Sequence, residues 1–326
     1  MKLASLKSRD QDGRLIVVSR DLNRAADAAA ICPTLQAALD NWENVVSDLR
    51  SLSLRLDDGY ASDSFPFDPA AVLSPLPRPP QWLDASAFQS HGALMARAFG
   101  FDEPHWNAIP LMYQGLSSYT LAPTEDAYLP SEADGIDFEG EFAVVVADTP
   151  MGVSVDEAEG FIRLVMLAND WSLRAMAPRE MKTGFGFIQA KPATAFSPVA
   201  VTLDELGSAW HNGRVKLPFT TRLNGEWFGA PRGDEMAFSF PELIAHAAYS
   251  RRLSAGTIIG SGTVSNFDYR TNGASCIAER RMAEIVENGA ATTMFMKSGD
   301  RVRMEVDGIN GKSVFGAIDQ RAVCDK

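Results

Sequence analysis

Residues 136–146 read IDFEGEFAVVV. The run 142–147 predicts a strand, and in a strand successive side chains point to opposite faces. Extended back to 136, the alternation puts Asp137, Glu139 and Glu141 on one face and Ile136, Phe138 and Phe142 on the other. On a solvated face, water and salt relieve the three like charges. On a face that lines a cavity, desolvation raises carboxylate pKa values unless a cation compensates, and a hard divalent ion with oxygen ligands does so. Such an ion calls for further acids. Asp170 follows the apolar run 164–168 and precedes Trp171, and its alternative is a turn residue at a helix end. Asp84 lies in QWLDASAFQSH, where its alternative is the N-cap of a helix containing Phe88.

Outward from this stretch the chain divides in two. Segments 2–6 and 15–19 predict a hairpin, with a turn ending in Asp12-Gly13. Leu35, Leu39, Trp42, Val45, Val46 and Leu49 recur at helical steps and predict one amphipathic helix over 34–54. Six prolines between 64 and 80 break helix and ladder alike and place the domain boundary there, dividing 1–75 from 76–326. Beyond it, 257–259 and 302–306 predict strands, and 240–251 a helix. Ser154 with Glu157 forms a capping box expected to open a helix through Phe161, Leu164, Val165 and Leu167. Strand–helix alternation is too irregular for a Rossmann sheet or a barrel of βα units, so the expected class is a β-rich α+β fold.

Composition narrows the function. With 42 acidic against 30 basic residues in 326, the net charge is −12, which repels polyphosphate and anionic lipid, so neither nucleic acid nor membrane is an expected partner. Residues 1–19 lack a signal-peptide core, no window reaches membrane-spanning length, and three scattered cysteines suggest a reducing, cytoplasmic setting. The G-x-S-x-G elbow, the P-loop, G-x-G-x-x-G and H-E-x-x-H are all absent. The glycine-rich GTIIGSGTVSN at 256–266 has no lysine in register and reads as a tight turn between strands.

Taken in order, several segments resemble the fumarylacetoacetate hydrolase family: Asp84 with His91, IPLMYQG at 109–115, Glu139-x-Glu141, Asp170-Trp171-Ser172 with Arg174, Lys191, GSGTVSN, and SCIAE ending at Glu279. The likeness spans about 82–317. It implies a mixed β-sandwich roll, with the N-terminal hairpin and helix as a shortened small domain. It also implies a metal held by Asp84, Glu139, Glu141 and Asp170, with His91 and Glu279 as a water-activating dyad. Lys191 would stabilise developing charge, and Tyr113, Arg174 and Thr263 would contact substrate. The expected reaction is metal-dependent hydrolysis of a carbon–carbon bond in a β-diketo acid, fumarylacetoacetate first, by a homodimer. Magnesium is favoured by the oxygen-only ligand set, with manganese and calcium open. Two departures bear on substrate: Ser86 stands where fumarylacetoacetases have a tyrosine, and Ala177 where they have a glutamine. Acylpyruvate hydrolysis, decarboxylation, hydration and isomerisation are the alternatives on the same scaffold.

Overall fold

The computed structural model describes residues 1–99 and 109–324. Its centre is the strand Gly140–Val146, buried along its whole length. Ile162–Asn169 pairs antiparallel with it on one side and Ile258–Gly260 on the other. The sheet continues through Trp82–Ala85, parallel to Ile258–Gly260, to Met112–Gln114 at the edge. In the opposite direction it runs through Ala200–Val201 to the hairpin Lys2–Leu6 and Arg14–Val18 and then to Arg24–Asp27. The N-terminal strands therefore extend the same sheet that carries the acidic stretch.

Both faces of this sheet are covered. Ala143, Val145, Leu164 and Met166 pack with Leu35, Leu39, Trp42, Val45 and Leu49 of an outer helical layer. Val144, Val146, Val165 and Leu167 pack with Phe219 and with Val302, Met304 and Ile318 of a second sheet. That sheet is ordered Glu226–Gly229, Thr220–Leu223, Arg301–Glu305, Ile318–Val323, Ala127–Tyr128. The β-rich α+β expectation holds. A strand covered on both faces reads as a continuous apolar run, which is why 143–146 is AVVV. Each fully buried aliphatic side chain there contributes roughly 1.5–3 kcal/mol.

Several expectations are corrected. The strand over 136–146 is interrupted: Ile136–Asp137 pairs with Ser172–Leu173, and the central strand begins only at Gly140. The Ser154–Glu157 capping box is present, but its helix is only Val155–Ala158, followed by a 3-10 turn. Leu164, Val165 and Leu167 belong to the strand Ile162–Asn169, because two-sided burial in the sheet outweighs a pattern equally compatible with helix. The helix over 34–54 is two helices, Leu35–Asp40 and Trp42–Asp57, broken at Asn41. The helix over 240–251 stops at Ala247. Among the described residues no helix is long and apolar enough to cross a membrane.

Candidate active site

Strand pairing gathers the acids. Asp170 directly follows the strand Ile162–Asn169, whose last residue pairs with Gly140, and the Asp170 amide donates to the Glu139 carbonyl at 2.9 Å. Asp84, within Trp82–Ala85, pairs with Gly260, which pairs with Ala143. One carboxylate oxygen from each of Asp84, Glu139, Glu141 and Asp170 lies within 4.8 Å of all the others, and all four residues are buried. Gly260 makes this convergence possible. A Cβ there would stand 2.4 Å from the Trp82 ring and 2.7 Å from both Asp84 Oδ1 and Glu141 Oε2. Gly260→Ala is therefore expected to destabilise the fold by about 1–3 kcal/mol through overpacking and to abolish metal-induced stabilisation, both read from melting curves. A variant that still responds to metal like the wild type would refute the close-approach role.

The four carboxyls are not equivalent. Asp170 is fully partnered: it accepts from Tyr113 Oη at 2.6 Å, Thr194 Oγ1 at 2.6 Å and Lys191 Nζ at 2.5 Å. Lys191 Nζ also donates to Glu139 Oε2 at 2.7 Å and Ser172 Oγ at 2.9 Å. Glu139 Oε1 is ion-paired with Arg174 at 2.6 Å. Burial alone would raise Glu139, but Lys191 and Arg174 outweigh it and hold the carboxyl below its ordinary value. Burial would likewise lower Lys191, yet Asp170 and Glu139 keep its ammonium above the usual lysine range.

By contrast, among the described residues no N–H or hydroxyl donor of another residue reaches Asp84 Oδ1 or either oxygen of Glu141, and these two carboxyls have only each other as hydrogen-bond partners. Burial, then the charge of Asp170, pushes Asp84 up to about 8. Burial, then Asp84 and Asp170, pushes Glu141 well above the carboxylate range. Buried carboxyls without donors are costly, and a hard cation with oxygen ligands is the partner their chemistry fits. The sign for stability follows. Unfolded, Asp84 releases its proton near 3.8; folded without metal, it keeps the proton up to about 8. Between those values the folded state binds more protons, so metal-free stability falls as pH rises, by up to about 1.4 kcal/mol per pH unit for this group. Cation binding displaces those protons. Melting temperatures with chelator and with magnesium are expected to differ more at pH 8 than at pH 6, and equal shifts at the two pH values would contradict a proton-competing site.

A second cluster adjoins the acids. The helix Gln89–Phe99 carries His91, and the helix Ile277–Asn288 carries Glu279. His91 Nδ1 meets Glu279 Oε2 at 3.1 Å, and Glu279 Oε1 accepts from Ser265 Oγ at 2.8 Å, itself bonded to Ser90 Oγ. A carboxylate only accepts, so Nδ1 carries the proton and Nε2 is left to accept one. His91 bears electrostatically on Glu139. Cys276 lies with this pair, but burial pushes its thiol up and keeps it protonated, and its sulfur caps the Glu279 amide at 3.2 Å. Thr263 is buried in the loop after Ile258–Gly260 and makes none of the contacts just described. A cavity of about 800 Å³ opens beside Tyr113, lined also by Leu83, Met112, Phe187, Ile188 and Arg251.

The structure thus joins Lys191, Tyr113 and Arg174 to the acids, and His91 to Glu279. Sequence reasoning missed Thr194, Ser265 and Gly260, although the first stands three residues past Lys191 and the others lie within GTIIGSGTVSN. It also put Asp137 on the acidic face, whereas that carboxylate pairs with Arg174 at 2.8 Å and stays outside the four-acid cluster.

Residues 81–320 match the family model described as fumarylacetoacetate (FAA) hydrolase C-terminal, and residues 1–78 match fumarylacetoacetase N-terminal domain 2. The fumarylacetoacetase of Caenorhabditis elegans is 28% identical over 243 residues, 62% of this chain and 58% of the relative. Oxaloacetate tautomerase YisK of Bacillus subtilis is 28% identical over 174 residues, 53% of this chain and 50% of the relative. The chain thus spans about half the length of the curated relatives it matches. Among solved structures, maleylpyruvate hydrolase from Sphingobium sp. SYK-6, in complex with manganese(II) ion and pyruvate, superposes with a TM-score of 0.66 at 16% identity over all of both chains. The 5-carboxymethyl-2-hydroxymuconate delta-isomerase from Mycobacterium smegmatis does so with a TM-score of 0.63 at 17% identity, again over all of both chains. At such identities the likeness carries the fold. With the family model covering most of its length, the chain belongs to the fumarylacetoacetate hydrolase family.

Proposed function

We propose that the protein is a metal-dependent hydrolase that cleaves a carbon–carbon bond in a small β-diketo acid, with fumarylacetoacetate, yielding fumarate and acetoacetate, as the leading substrate. The observation that carries this reading is the His91–Glu279 pair next to a carboxylate cluster with unpartnered oxygens. Asp84, Glu139, Glu141 and Asp170 would hold the ion, magnesium by preference for oxygen donors. When bound, it supplies Lewis acidity to a 1,3-dicarbonyl.

The chain's own residues account for the proton transfers. His91 Nε2 takes a proton from water as the water oxygen bonds to the carbonyl carbon, and Glu279, on Nδ1, stabilises the imidazolium. Lys191 brings an ammonium to offset charge growing on the carbonyl oxygen. The carbon–carbon bond then breaks with its electron pair leaving on the α-carbon, and the His91 imidazolium returns the proton to that carbon. Tyr113, Arg174 and Thr263 are the proposed substrate contacts, Arg174 while also holding Glu139, and the cavity beside Tyr113 receives the rest of the substrate.

A second reading is keto–enol tautomerisation of a small keto acid, favoured by the likeness to YisK. There His91 Nε2 takes the proton from the substrate's enol hydroxyl and the imidazolium delivers it to the adjacent carbon, without water attack. A panel of fumarylacetoacetate, fumarylpyruvate, acylpyruvates and oxaloacetate, with magnesium and product identification, separates the two. Cleavage products support hydrolysis, enol decay without cleavage supports tautomerisation, and inertness across the panel rejects both.

A further inference from the structure

Asp137 lies two residues before Glu139, yet its carboxylate stays outside the four-acid cluster. It is fully buried at 0% exposure. Its Oδ1 accepts the Ile277 amide at 2.7 Å, and its Oδ2 accepts the Ala278 amide at 2.9 Å and Arg174 Nε at 2.8 Å. Ile277 and Ala278 open the helix Ile277–Asn288, and Glu279 is its third residue. First-turn amides lack partners within their own helix, and a carboxylate is the acceptor they and the helix dipole favour. The local cap, Cys276, offers only a protonated thiol, a weak acceptor. The stronger acceptor for this turn therefore comes from a residue 140 positions away. On its other side Asp137 holds Arg174, whose guanidinium also pairs with Glu139. A single buried carboxylate thus touches both the turn that presents Glu279 to His91 and the arm that braces Glu139.

We propose that Asp137 is a positioning residue that holds Glu279 toward His91 by fixing the first turn of the helix Ile277–Asn288. The inference rests on the dyad reading given under Proposed function. A hydrogen bond that merely held the scaffold would affect turnover alike with and without His91. A positioning residue acts through His91, so its effect disappears once His91 is gone.

The test is Asp137→Asn, which keeps the shape and one acceptor oxygen but loses the charge, made alone and in the His91→Ala background. Alone it is expected to lower kcat by about 10- to 100-fold, as loss of a partner that orients a reacting group does, with KM within about threefold. In the His91→Ala background the same change is expected to cost less than about threefold. In the magnesium-loaded protein, amide exchange at Ile277 and Ala278 should quicken by about tenfold or more while that of Ile285 holds. Equal kcat losses in both backgrounds, or unchanged exchange at Ile277 and Ala278, would overturn the proposal. If the wild type turns over no substrate in the panel, the functional reading fails by itself, and exchange at the two amides decides the role of Asp137. Should Asp137→Asn not fold, Asp137→Ser, smaller and still an acceptor, takes its place in every measurement.

Discussion

His91→Ala is expected to lower kcat on the cleaved diketo acid by about 10²- to 10⁴-fold, the range a positioned general base contributes. The fold should survive. The position lies in a helix, where alanine is a good former, and the main loss is the partner of Glu279 Oε2, worth about 1–3 kcal/mol for a buried acceptor left unmade. Glu279 keeps its second bond, from Ser265. Magnesium should still raise the melting temperature as in the wild type, since His91 is not among the four clustered acids. Loss of turnover with metal response retained is the expected pattern in a coupled spectrophotometric and thermal assay. Near-normal turnover would remove the dyad from the mechanism.

Glu141→Gln should separate stability from activity most sharply. In the metal-free fold burial, then the neighbouring Asp84 and Asp170, push Glu141 well above the carboxylate range, which favours its uncharged form. Glutamine has nearly the same shape and no charge, and the metal-free melting temperature should move little. The cation, however, needs the ionised oxygens. Magnesium-induced stabilisation, which grows as RT ln(1 + [L]/Kd), should vanish, and turnover should fall by about 10³-fold or more with the loss of an electrostatic contribution of several kcal/mol. A Glu141→Gln enzyme that still shifts with magnesium would place the ion elsewhere. Calorimetric titration with magnesium measures the same loss independently of substrate.

How much of this was legible in advance depends on distance along the chain. The Glu139-x-Glu141 spacing is local, and strand alternation suffices to put both acids on one side. Asp170 stood out as an acid after an apolar run and Asp84 as one just past the proline-rich boundary, and the resemblance supplied their convergence. The fate of Asp137 was not legible, because Arg174 lies 37 positions away and the helix it caps 140 away. The run 162–169 misled for a related reason. Its core, 164–168, is apolar throughout and has no period of its own, and only pairing with Gly140–Val146 makes it a strand.

The sequence by itself determined the class of fold, the dominance of strands and the kinds of side chain available for chemistry, because these follow from composition and short-range periodicity. Only the tertiary structure decided which acids are left without donors, which one is spent on a helix end, and how closely His91 meets Glu279, 188 positions away. The physical reason is that desolvation and donor supply are properties of an enclosed volume, and that volume is assembled from segments far apart in the chain.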